Sequence, residues 1–207
     1  PTTTGQRILA LAVPAAGALL IDPLMTVVDT AFVGRFSEAA APLAGMGSAA
    51  ALLTFCFYLC NFLCTATTPL ISEQRASGNN RRATEIGGQA LSLALSLGFA
   101  LSITLWTFRQ PLLTLMGTGI TGEEANQYAI DFLSVRALAA PAVLTIEAAT
   151  GVLRGYLDTK TPIVVLFVAN LVNFLLDVIL IAMLGLGPLG AAIATTSAEW
   201  ISASFFL

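Results

Sequence analysis

Histidine is missing altogether from the 207 residues, charged side chains make up only 10% of them, and there are three cysteines. Without histidine, neither a Ser-His-Asp nor a Cys-His nucleophile can be assembled, and the commonest nitrogen ligand for zinc is gone. A soluble domain carries about 25% charged residues, so the low charge excludes that class. The nine Lys and Arg residues are spread thinly, with no cluster larger than Arg81-Arg82, which removes the electrostatic footprint of a nucleic-acid binder. Cys56, Cys60 and Cys64 recur every four residues on one apolar segment. Rigid helical spacing keeps such thiols too far apart to bridge easily, so they read as small packing residues, and they leave the redox compartment undetermined. Glycines are present but never in the pattern of a phosphate loop. The sequence therefore predicts no enzyme, no cofactor and no metal site.

What the chain has in abundance is apolar length. It is 57% hydrophobic, with a mean hydropathy of +0.86, and the reading is an all-α, polytopic transmembrane helix bundle. Six apolar runs are long enough to cross a hydrocarbon core of about 30 Å: 8–33, 43–72, 86–108, 135–153, 162–184 and 189–207. The first run follows a polar lead-in from Pro1 to Arg7 and is far longer than the hydrophobic part of a signal peptide. The last run is still apolar at Leu207, with the expectation that the natural chain continues. Between runs three and four, Thr121-Gly-Glu-Glu124 fits a capping box and predicts a short amphipathic helix on the membrane surface. Thr161 followed by Pro162 predicts the start of span five. Gly151 and Gly155 have the spacing that lets helices approach closely.

With these spans, Arg7, Arg75, Arg81, Arg82, Arg154 and Lys160 fall on one side, and Arg35, Arg109 and Arg136 on the other. The excess of basic residues puts the first side, and the N-terminus with it, in the cytosol or its organellar equivalent. The expected location is a plasma membrane or an organellar membrane such as that of a plastid.

The stretch Pro23-Leu-Met-Thr-Val-Val-Asp-Thr-Ala-Phe-Val-Gly-Arg35 organises the rest. It sets Asp29 inside the membrane, with Thr26 and Asp22 on the same narrow helical face. Glu147, Asp177 and Glu199 also fall within spans, and no Lys or Arg is expected deep enough to neutralise them. A carboxylate taken out of water without a cationic partner tends to hold a proton or bind a cation. Asn170, Asn173 and Asp177 share a face of span five, and Thr195 stacks one turn from Glu199 in span six. Asp29 lies about 30 Å along its helix and Asp177 about 22 Å along its own, measured from the same side. The two can therefore share one cavity, whereas Asp22 and Glu147 lie elsewhere along the membrane normal and serve a second site or packing.

Several strings resemble one family. Val28-Asp-Thr-Ala-Phe-Val-Gly34 looks like the first-helix motif of multidrug and toxic compound extrusion (MATE) transporters. Gly151-Val-Leu-Arg-Gly-Tyr-Leu-Asp-Thr-Lys-Thr-Pro162 resembles their connection from span four to five, and Ala169-Asn-Leu-Val-Asn-Phe-Leu-Leu-Asp177 their fifth helix. Ser77-Gly-Asn-Asn-Arg-Arg-Ala83 after Gln74 is similar too, and the aspartate of span five points to the DinF-like branch.

The resemblance implies a twelve-helix antiporter of two six-helix lobes, of which this chain, residues 1–207, is the N-terminal lobe and lacks the C-terminal one. It implies export of organic, cationic or amphipathic, compounds or metabolites in exchange for H⁺ or Na⁺. Proton coupling is implied for Asp29, Asn173 and Asp177, with Thr195 close by. Where the family often has a polar amide in span four, this chain has Glu147. The expected partners are a small-molecule substrate, the lipid bilayer and the second lobe. Two other readings stay open: a flippase for lipid-linked precursors with the same fold, and a non-transporting six-span subunit.

Overall fold

The computed structural model describes residues 5, 23–35, 40–118 and 122–207. Arg7, Pro14, Asp22 and Thr121 lie outside them. All the regular structure among the described residues is helical. Helix α1 covers 23–35, α2 Ala40–Leu59, α3 Phe62–Ala76, α4 Asn80–Thr107, α5 Arg109–Leu115 and α6 Glu123–Arg136. A 3₁₀ turn, Ala137–Ala139, joins α6 to α7, Ala140–Gly155. Then come α8, Lys160–Asp177, extended by a π-helical segment, Val178–Met183, and α9, Gly187–Ser204.

Four stretches among the described residues are long and apolar enough to cross a membrane: Ala40–Ala76, Asn80–Thr107, Glu123–Gly155 and Lys160–Met183. They contain the second to fifth expected spans. The first expected span is described only in its second half. The helix of the sixth, α9, falls short because Gly, Ser, Thr and Glu dilute its apolar content.

The region before span four departs from expectation. Instead of a helix lying on a membrane surface, α6 runs through the 3₁₀ turn into α7 as one 33-residue element. Its polar residues, Glu123, Glu124, Asn126, Gln127 and Asp131, hide a buried stripe of Ala125, Ala129, Phe132, Leu133 and Arg136. That stripe packs on α2. The two backbones nearly touch, since a Cβ on Gly45 would lie 2.3 Å from the carbonyl oxygen of Ala125. A second close crossing joins α3 to α7, where a Cβ on Gly151 would lie 2.8 Å from the carbonyl oxygen of Cys64 and one on Gly155 would lie 2.7 Å from Ile71 Cβ. These glycines serve helix packing, as their spacing suggests.

The three cysteines are free. A turn at Cys60–Asn61 separates α2 from α3, so they do not share one unbroken helix, and Cys64 is the buried one. The start of span five also differs from expectation. Helix α8 begins at Lys160 with Thr159 at its N-cap position, and the side chain that receives its first N–H groups is that of Asp158, one residue earlier. Its Oδ1 accepts from the backbone N–H groups of Lys160 and Thr161, both at 3.0 Å, and its Oδ2 accepts from the Thr161 hydroxyl at 2.6 Å. These donors, led by the Thr161 hydroxyl, hold the Asp158 carboxyl below its ordinary pKa.

Lipid-like exposure marks the outside of the bundle. Val164, Phe167, Leu171 and Leu175 of α8 are exposed, as are Phe99, Ile103 and Trp106 of α4. The apolar interior clusters around Val33, Leu53, Leu105, Leu113, Leu133 and Ile181. A ring contact between Phe32 and Phe174, with centroids 5.8 Å apart and edge to face, sets α1 against α8.

Candidate functional site: a polar cavity behind Asp29

That contact turns one face of α1 toward α8 and α9. Asp29 lies three residues before Phe32 and is 8% exposed. Its Oδ1 accepts a hydrogen bond from Asn173 Nδ2 at 3.2 Å. Its Oδ2 lies 3.4 Å from the hydroxyl of Thr195, which also stands 2.8 Å from the carbonyl oxygen of Ala191. A hydroxyl has one proton to give, so Thr195 donates to Ala191 or to Asp29 but not fully to both.

One turn beyond Asn173, Asp177 is completely buried, and its carboxyl group stands next to that of Asp29. Neither of its oxygens accepts a regular hydrogen bond among the described residues, and neither does Asn173 Oδ1. A buried, under-satisfied carboxyl beside another carboxyl is costly as two anions. One proton held between them removes that cost.

Asp29 forms part of the wall of a cavity of about 380 Å³; Asp177 does not. The same cavity is lined by Thr26, Glu147, Asn170, Asn173, Thr195 and Glu199. Seven of the nine residues singled out in the sequence thus face one space. Asp177 sits behind it, and Asp22 lies outside the described residues. Glu147, expected to serve a second site or packing, is also in the wall. It shares the cavity with Asp29.

The charge of the cavity also differs from expectation. Glu199 is not an unneutralised acid, because Arg136 meets it with both terminal nitrogens: Nη2 donates to Oε1 at 2.9 Å, and Nη1 to Oε2. Arg136, 9% exposed, is the wall residue that sequence reasoning counted on the outer side, at the start of span four. Its signal was the stripe Ala125, Ala129, Phe132, Arg136, whose spacing puts the arginine on the buried side of α6. With Arg136 inside the bundle, the loop count of basic residues becomes six against two. The turn at Cys60–Asn61 opens α2 and α3 beside the cavity, where Phe57, Tyr58 and Asn61 add an aromatic and amide rim.

The MatE family model matches residues 14–179. The protein is similar over 98% of its length to Protein DETOXIFICATION 44, chloroplastic, of Arabidopsis thaliana, at 33% identity and covering 40% of that relative. It is 32% identical over 96% of its length to DNA damage-inducible protein F of Escherichia coli (strain K12), covering 42% of it. Among solved structures, a MOP superfamily transporter from Pyrococcus furiosus superposes over the whole chain with a TM-score of 0.87 at 24% identity, over 46% of its own chain. A crystal structure of MATE in complex with MaD3S gives a TM-score of 0.88 at 24% identity, over 47% of its chain. At that identity these structures establish the fold alone. The chain spans less than half the length of these relatives. With a family model covering most of it and this membrane bundle around one acid-lined cavity, the chain belongs to the MatE family.

Proposed function

We propose that the chain forms one lobe of a secondary active antiporter that exports organic cationic or amphipathic compounds against an inward flow of protons, by alternating access. The single observation that carries this reading is the Asp29 site: one acid open to the cavity, held by an amide and a hydroxyl, with a second acid sealed behind it. A proton arriving from the cavity meets Asp29 first. Once protonated, Asp29 can donate to the Asp177 carboxylate or to the Thr195 oxygen, while Thr195 keeps its bond to Ala191. Discharge of the negative charge removes what holds a cation in the cavity, and so links proton entry to release of cargo.

Sodium is the alternative coupling ion. It requires several oxygen lone pairs converging on one point. Asn173 instead directs an N–H donor at Asp29, which favours the proton. A flippase for lipid-linked pyrophosphates would need a cationic cavity. Here, among the described residues of the wall, Asp29, Glu147 and Glu199 stand against one basic residue, Arg136, itself paired, and the acid-rich wall fits a cationic cargo better. The remaining partners are the bilayer around the apolar exterior and a second lobe that closes the open side of the cavity. The side bearing Arg75, Arg81 and Arg82 would face the cytosol or its organellar equivalent.

The test is transport by the complete protein in liposomes, with pH and Na⁺ gradients imposed separately. Flux of a fluorescent organic cation driven by the pH gradient alone is the expected result. Flux that follows Na⁺ only, or no flux of the cation under either gradient, would overturn the reading.

A further inference from the structure

The Arg136–Glu199 pair is not the only side-chain bond that ties α9 to the long α6–α7 element. Trp200 Nε1 already donates to the carbonyl oxygen of Leu138 at 3.1 Å and ties α9 to the 3₁₀ turn, one residue along from each partner's neighbourhood. Nor is an ion pair with little access to water an economical clamp, since desolvating both ions offsets much of their attraction. What the pair does have is a position. Both partners line the cavity that Asp29 lines, so their charges face the space that its carboxylate faces.

We propose that Arg136 is a positioning residue that sets the charge state of Asp29, and that Glu199 determines how much of the arginine's charge Asp29 feels. With both carboxylate oxygens of Glu199 engaged, the pair is close to neutral toward the cavity, and Asp29 remains free to take up and release a proton. Freed from Glu199, the guanidinium becomes a full positive charge in the wall. It would then compete with the proton at Asp29 and repel a cationic cargo. This inference rests on the antiport reading only for its purpose; the charge relation itself does not require transport.

The other groups facing the pair are few. Asp29 comes from α1, Tyr58 from α2, Glu147 from α7, and Asp177 of α8 stands behind Asp29. Arg109 of α5, which also packs against α6, stacks on the Trp106 ring at 4.7 Å and is engaged there.

The experiment is a pH titration of tryptophan emission in the purified complete protein, reading the part of the signal lost in Trp200→Phe. Trp200 follows Glu199 and bonds two residues past Arg136, so it reports on this junction. Glu199→Gln is expected to move the midpoint to lower pH, and Arg136→Gln to move it to higher pH, each by about one pH unit. The double variant is expected to return close to the wild type. A charge-swapped pair, Arg136→Glu with Glu199→Arg, preserves the ion pair and so keeps the fold if a neutral variant fails to accumulate. It leaves the pair close to neutral toward the cavity and is expected to titrate close to the wild type. Single variants that leave the midpoint in place, or move it in the same direction, or a swapped pair whose midpoint moves as far as that of a single variant, would overturn the proposal. Transport in liposomes is run alongside on the same variants. Opposing shifts in the two single variants, together with no proton-driven flux in the wild type, would sink the antiport reading and leave this one standing.

Discussion

Three groups surround Asp29, and they hold it unequally. Asn173 donates a well-formed bond from a buried position, whereas Thr195 stands at 3.4 Å and has a nearer acceptor in Ala191. In the complete protein, Asp29→Asn and Asp177→Asn should each abolish proton-driven export in a liposome assay while leaving insertion and thermal unfolding near wild type, because the amide keeps the size and removes the titration. Thr195→Val should be milder, a loss of about fivefold or less in rate, since a single weak neutral hydrogen bond is worth no more than about 1 kcal/mol. The polar spacing Asn170, Asn173, Asp177 and the lone acid of α1 were legible in the sequence, because helical periodicity alone puts such residues on one face. The partner of Glu199 was not. Arg136 ends a segment whose mean polarity resembles a loop, and only the packing of α6 on α2 shows that its arginine points inward.

At the scale of helices, small residues decide how closely the elements pack. Gly45 sits where α2 crosses α6, and any side chain there meets backbone rather than a flexible tip. Gly45→Val should lower stability by roughly 1–3 kcal/mol or prevent accumulation altogether, read as thermal loss of the helical signal in detergent. Asp158 makes a contrasting prediction at the start of α8. Its carboxyl is held ionised below its ordinary pKa by the Thr161 hydroxyl and nearby N–H groups. The stability it contributes is therefore present above the unfolded carboxyl pKa and lost as the pH falls through the lower folded value. Asp158→Ala should cost about 1 kcal/mol at neutral pH, as for other helix caps, and the loss should shrink in acid. Sequence reasoning put the cap at Thr161 because Pro162 commonly follows one. The chain instead uses the earlier acid, which reaches two backbone N–H groups and the threonine hydroxyl together.

For the whole molecule, the long element Glu123–Gly155 is the ruler. Its 33 residues span up to about 48 Å. At its far end, the carbonyl oxygen of Tyr156 accepts a bond from Arg75 at 3.0 Å, so the turn after α3 lies at that end too. Cysteines placed at the exposed positions Ser77 and Glu124 should thus be labelled by an impermeant reagent from opposite sides of the membrane; labelling of both from one side would contradict the topology. The apolar runs made the bundle legible, and the motifs made the family legible. The cavity was not, because it is bounded by residues from six helices and the turn at Asn61, which no local pattern links. The central claim is that Asp29 carries the proton that cargo displaces. Its most direct test is proton release in weakly buffered detergent solution when an organic cation is added to the purified complete protein. The wild type should release protons as the cation is added, and Asp29→Asn should release none. Equal release from both proteins would contradict the account.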